Sequence, residues 1–314
     1  MPLLADYAIT PDVFDAASYL NEELGRAYLQ QIKRVLLSEG LVRDLREGEW
    51  RKVFSDNRRS WHRHGKELLK KLAAQGRLVR FSPALDSLPA NDAEWCAEAL
   101  GTQHVIPFTG GVIVTEPVKA DYLTEPLVAR IDRLSSARWW AARSSSVRLA
   151  RHVAAYQEHL APVLRCANSI MFIDPHVDPK RSGYRGFATL LADAGARTPV
   201  PVIEIHRVCW EEPRDKRPRP EFMNGLEQRF NEAFANIVST AGIKVEVFLW
   251  DDFHDRYLIS NLIGISLPNG LDTTTDPNNL TTWTRLGRDD RDNVQREFDP
   301  ASGRHELRHR FVLE

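Results

Sequence analysis

A histidine stands two residues before an arginine, His254 and Arg256, and a pair of aspartates, Asp251 and Asp252, precedes them at the end of an apolar run. These residue types suit chemistry on phosphate. An imidazole can attack phosphorus or carry a proton, a guanidinium can clamp two nonbridging oxygens, and a carboxylate can orient the ring. Two earlier apolar runs end in similar residues. Residues 169–173 stop at Asp174, Pro175 and His176, and residues 200–205 stop at His206 and Arg207. Lys180 and Arg181 follow closely and could meet a phosphate.

Each of these runs is short and continuously apolar, the pattern of a strand covered on both faces, and helix-like sequence separates them. In an open α/β sheet, residues just beyond the carboxyl ends of the strands converge on one crevice. The pattern predicts an α/β fold for the C-terminal half, a mixed sheet flanked by helices with Ile170, Ile203 and Phe248 in adjacent or near-adjacent strands. Residues 257–259 and 263–267 read as further strands. Strand alternation then puts His254 and Arg256 on one face and Asp255 on the other, with Asp251 or Asp252 in hydrogen-bond reach of the imidazole. The charged, proline-rich run 211–220 reads as a mobile loop, and its Arg214, Lys216, Arg217 and Arg219 suit a lid over an anion.

His254, Asp255 and Arg256, followed by Asn261, resemble the H-x-K-x4-D signature of the phospholipase D superfamily, with Arg for Lys and Asn for Asp. With Asn269, Gly270, Leu271 and Asp272 added, the stretch is similar to the phospholipase D-like domain at the C-terminus of MIT-domain proteins. The resemblance spans residues 148–314 at most. The superfamily implies a phosphodiesterase, here of nuclease type, with His254 as nucleophile, Arg256 as phosphate clamp and no cofactor or metal. His176, His206 or the His254 of a second copy in a homodimer would then be the general acid. The MIT-associated form implies instead a binding domain for membranes and partners, and a module that kept the crevice but lost the chemistry could engage nucleic acid, phospholipid or a partner protein. Residue types alone also allow a metal-dependent nuclease built on Asp174, Asp251, Asp252 and His176.

The N-terminal half, residues 1–145, reads as mainly helical. Residues 60–75 form a clear amphipathic helix, and residues 77–81 alternate like an edge strand. This pair suggests a winged-helix element, and its Arg58, Arg59, Arg63, Lys66, Lys70, Lys71, Arg77 and Arg80 are the nucleic-acid-binding candidates of the chain. Residues 127–151, arginine-rich with Trp139 and Trp140 adjacent, read as largely helical up to a boundary near residues 143–146, and residues 146–314 make the second domain.

The 314 residues suffice for two cores, and a net charge of -1 leaves any anion binding to local patches. Three widely spaced cysteines lack zinc spacing and read as free thiols. No apolar run approaches a membrane span and no signal peptide is apparent, so a cytoplasmic protein is expected. By analogy at the level of fold, a basic domain joined to a phosphodiesterase domain would suit a subunit of a bacterial anti-phage defence complex.

Overall fold

The computed structural model describes residues 2–211 and 216–313, so Arg214 of the basic run lies outside the described residues. The chain divides into two compact units, Met1–Ser144 and Ser145–Glu314. Both combine helices with a sheet, and the fold class is α/β.

Unit 1 runs β1 (Ala5–Ile9), α1 (Glu22–Glu39), β2 (Gly40–Asp44), α2 (Leu45–Lys52), α3 (Arg63–Ala74), β3 (Leu78–Arg80), α4 (Asp92–Gly101), β4 (Val112–Val114), α5 (Glu116–Asp121), β5 (Val128–Arg130) and α6 (Arg138–Ala141). Its five strands are all parallel in the order β3-β2-β1-β4-β5. Helices hold more of its residues than strands, as expected, and the five-stranded parallel sheet is what that expectation omits. β1 and β2 are buried along their whole length, which polar Asp6, Arg43 and Asp44 conceal in the sequence. Arg43 lies fully inside, donating to Asp6 at 2.7 Å, Thr102 at 2.7 Å and the Ile106 carbonyl at 2.8 Å, and its guanidinium is stacked on Phe108.

The winged-helix expectation does not hold. β3 pairs parallel with β2, so α3 and β3 belong to a crossover in a parallel sheet rather than to a helix and wing. Residues 127–151 also depart from one helix. β5, a 3-10 stretch, the four-residue α6 and a further strand share that span.

Unit 2 runs β6 (Ser146–Ala150), α7 (Val153–Cys166), β7 (Ser169–Ile173), α8 (Phe187–Gly195), β8 (Val202–Val208), α9 (Pro220–Ala241), β9 (Lys244–Trp250), β10 (Tyr257–Ser260), β11 (Gly264–Ser266), β12 (Leu280–Arg285), α10 (Arg288–Glu297) and β13 (Leu307–Leu313). The sheet order is β13-β9-β8-β7-β10-β11-β12-β6. β7, β8 and β9 are parallel neighbours, with Ile170 beside Ile203 and Ile203 beside Val245, and the remaining pairs are antiparallel. This is the mixed sheet that the three apolar runs predict. Phe172, Phe187, Phe230 and Phe234 build the core between one face and α8 and α9. His206, Phe248, Trp250 and Phe298 cluster on the opposite face.

Candidate functional site

β7 ends on a buried carboxylate. Asp174 is fully enclosed and accepts bonds from the His176 amide at 3.0 Å, the Leu271 amide at 3.0 Å and the Tyr184 hydroxyl at 3.1 and 3.0 Å. Burial pushes its pKa up, while these donors and Arg256 pull it down. Arg256 enters from the start of β10, its Nε 3.8 Å from Asp174. Its Nη1 makes only a 3.4 Å bond to the His254 carbonyl, and its side chain is 28% exposed. An arginine paired with a buried carboxylate and still partly exposed is prepared for an anion.

The stretch after β11 makes that arrangement fit. Gly270 has φ +69°, and a Cβ there would overlap Asp174 Oδ2 and stand 3.0 Å from Arg256 Cδ. Asp272 pairs with Arg151, and its carbonyl accepts from the Tyr156 hydroxyl at 2.9 Å, which ties the loop to α7. The Asn269 to Asp272 run therefore shapes the site from the second layer outward.

His176, half-buried, stands edge-on to Trp210 at 5.8 Å. Burial lowers its pKa to about 4, and the positive charges of Arg256, Arg181, Arg207 and His254 push the same way. His254 is exposed in the loop before β10, and the strand alternation expected for it does not apply there. Its Nε2 lies 3.9 Å from Asp252, beyond hydrogen-bond reach, and 3.4 Å from Lys216 Nζ. Asp252 is itself engaged by Lys216 at 2.6 Å. Asp251 instead accepts from the Glu306 amide at 3.0 Å and serves the junction with β13. Neither aspartate makes the hydrogen bond to the imidazole that the sequence pattern suggests.

Two of the expected residues lie away from this mouth. His206 is completely buried, accepts from Trp250 Nε1 at 3.0 Å through Nδ1, and contacts Glu204 at 3.2 Å. It faces the aromatic cluster rather than the Asp174 side, so it is a core histidine. Asn261 lies at the other end of the sheet, because β10 runs antiparallel to β7 with Ser260 beside Ile170. Its Oδ1 accepts from the Asn168 amide at 2.7 Å and so secures the start of β7.

Arg207 is on the sheet face opposite His206 but fully enclosed, and burial lowers its pKa to about 10, which keeps it cationic at neutral pH. Lys180 and Arg181 are exposed on the loop after β7. Asp178 and Arg229, absent from the sequence reading, stand beside Arg207. Arg229 occupies the period of the apolar stripe of α9, between buried Leu226 and Phe230, and a charged residue there is the signal that periodicity offers. Among the described residues, no group of three or more His, Cys, Asp or Glu is arranged to hold a metal ion.

In unit 1 the basic candidates divide. Arg77 is buried and donates to the Gly40 carbonyl at 2.8 Å, and Arg59 is bound to Asp12 and Asp15, so both are structural. Arg58 pairs with Asp56 and Lys71 with Glu67. Arg63, Lys66, Lys70 and Arg80 are exposed. Beyond β1, Asp92 accepts from the Asp12 amide at 2.9 Å. Burial, reinforced by the charge of Asp12, raises the Asp92 pKa to about 7. Among the described residues, no helix is long and apolar enough to cross a membrane.

No family model and no curated protein matches the chain. Among solved structures it is similar to TrmBL2, an archaeal chromatin protein whose structure shows a novel mode of DNA binding, at 13% identity and a TM-score of 0.30 over 79% of this chain and 84% of that one. A likeness of that size carries no argument about fold or function.

Proposed function

We propose that unit 2 is a phosphate-binding module on a phospholipase D-like plan, and that its ligand is a nucleic-acid strand held by its backbone. The observation that carries the reading is Arg256, paired at 3.8 Å with buried Asp174 while its side chain stays 28% exposed. His254 and Arg181 lie close enough to act electrostatically on His176, which adds a neutral ring able to hydrogen-bond. The exposed row Arg63, Lys66 and Lys70 on α3 offers further phosphate contacts elsewhere in the chain. Binding is favoured over turnover because His254 lacks a dedicated carboxylate and Asn261 serves the far end of the sheet.

Fluorescence anisotropy with labelled single-stranded DNA and RNA tests this. Arg256→Gln is expected to weaken binding by about tenfold to a hundredfold, the range for losing a charged hydrogen bond. Unchanged affinity would sink the reading. A second reading, a histidine-dependent phosphodiesterase, is favoured by one observation, the presence of His254 and His176 in one electrostatic neighbourhood. Cleavage of these strands in excess EDTA that His254→Ala abolishes would establish it. Cleavage that EDTA itself abolishes would point to a metal.

A further inference from the structure

Next to this mouth, two arginines share one carboxylate. Arg207 is 1% exposed, and its Nε donates to the Val208 carbonyl at 2.9 Å and its Nη2 to the Trp210 carbonyl at 3.3 Å. Its Nη1 is buried without a hydrogen-bond partner, 4.0 Å from Asp178 Oδ2. Arg229 on α9 brings its Nη2 to 3.2 Å from the same oxygen, and its own Nε is likewise buried and unpartnered. The Phe222 ring lies 5.4 Å from one guanidinium and 5.3 Å from the other, so it supplies no acceptor stronger than its π face. The other oxygen of Asp178 is taken by the Lys180 amide at 3.0 Å.

Two guanidinium groups thus share the Asp178 carboxylate, with the charge of Asp174 also acting on Arg207, and two buried donors have no protein acceptor. Buried charged donors are costly when left unpaired, and adjacent ones suit a ligand with several acceptor oxygens. A tetrahedral oxyanion suits such a pair, with several oxygens and one or two negative charges. The Arg229 side chain is 16% exposed and opens the pair toward solvent, and exposed Arg181 adds a third cation on the loop that Asp178 organises.

We infer that Arg207, Arg229 and Arg181 form a second oxyanion subsite, which takes another phosphate group of the ligand held at Arg256. The inference rests on the phosphate-binding reading of the mouth and narrows the ligand to one that carries more than one phosphate. Asp178 is then the group that competes with the phosphate.

Equilibrium dialysis with radiolabelled inorganic phosphate, on the full chain at pH 8, reads both sites separately. Wild type is expected to bind two phosphates, and Arg256→Gln and Arg229→Gln one each. Asp178→Asn is expected to tighten one of the two about tenfold by removing the competing charge. Arg229→Gln replaces Arg207 variants because Arg229 is partly exposed, and circular dichroism and thermal melts confirm that each variant is folded. A single phosphate in wild type, lost in Arg256→Gln but unaffected by Arg229→Gln and Asp178→Asn, would overturn the subsite and keep the mouth. A single phosphate lost in Arg229→Gln but not in Arg256→Gln would overturn the mouth and keep the oxyanion site. No binding at all would remove both.

Discussion

At the scale of single residues, the mouth depends on atoms that are absent as much as on those present. Gly270 gives the backbone a left-handed turn and leaves the space that Asp174 Oδ2 occupies. Any side chain there meets two penalties, the positive φ and the displacement of a buried carboxylate that holds Arg256. Gly270→Ala is expected to destabilise unit 2 by on the order of 2–3 kcal/mol. In urea titrations the midpoint should fall at unchanged slope, and phosphate affinity should fall with it because Asp174 no longer fixes Arg256. A wild-type midpoint would show that the turn adapts and that Asp174 is not held by shape.

At the scale of elements, β7, β8 and β9 were legible because strands buried on both faces read as continuous apolar runs. That reading brings Asp174, His176, Arg207, His254 and Arg256 to one end of the sheet. It cannot tell which face a residue takes, so His206 passed for a site residue although its neighbour Arg207 alternates to the other side. Nor does spacing along the chain report the direction of β10, which carries Asn261 away from the mouth. β1, β5 and β6 escaped for another reason. They are short, with polar residues in the run, and β5 and β6 lie at the edges of their sheets. The role of Asn261 leads to a separable expectation. Asn261→Ala should cost about 1 kcal/mol by removing the bond that secures the start of β7, yet leave phosphate binding unchanged. Paired urea and dialysis measurements check it, and a loss of binding at unchanged stability would return Asn261 to the site.

At the scale of the whole molecule, each unit carries a titratable group shifted first by burial, and the two respond to acid in opposite directions. Asp92 in unit 1 has a folded-state pKa of about 7, raised first by burial and then by Asp12, against an unfolded value near 4. Above pH 7 it is charged in both states and the folded unit bears the desolvation cost. Between pH 7 and about 4 the folded state alone takes up the proton, so its contribution to stability improves as pH falls. His176 in unit 2 has a folded-state pKa of about 4, lowered first by burial and then by surrounding cations, against an unfolded value of about 6.5. Between these values the unfolded state takes up the proton, so its contribution to stability is lost as pH falls from 6.5 toward 4. Comparison with variants isolates each group from the other carboxylates. Asp92→Asn keeps the oxygen that accepts the Asp12 amide and should stabilise by on the order of 2–4 kcal/mol at pH 8, with the gain vanishing near pH 4. His176→Gln should leave the difference from wild type constant above pH 7 and shift it in favour of the variant as pH falls from 6.5 to 4. Calorimetric scans across pH 4–8 measure both, and a gain for Asp92→Asn that grew toward acid would contradict the burial that separates Asp92 from water.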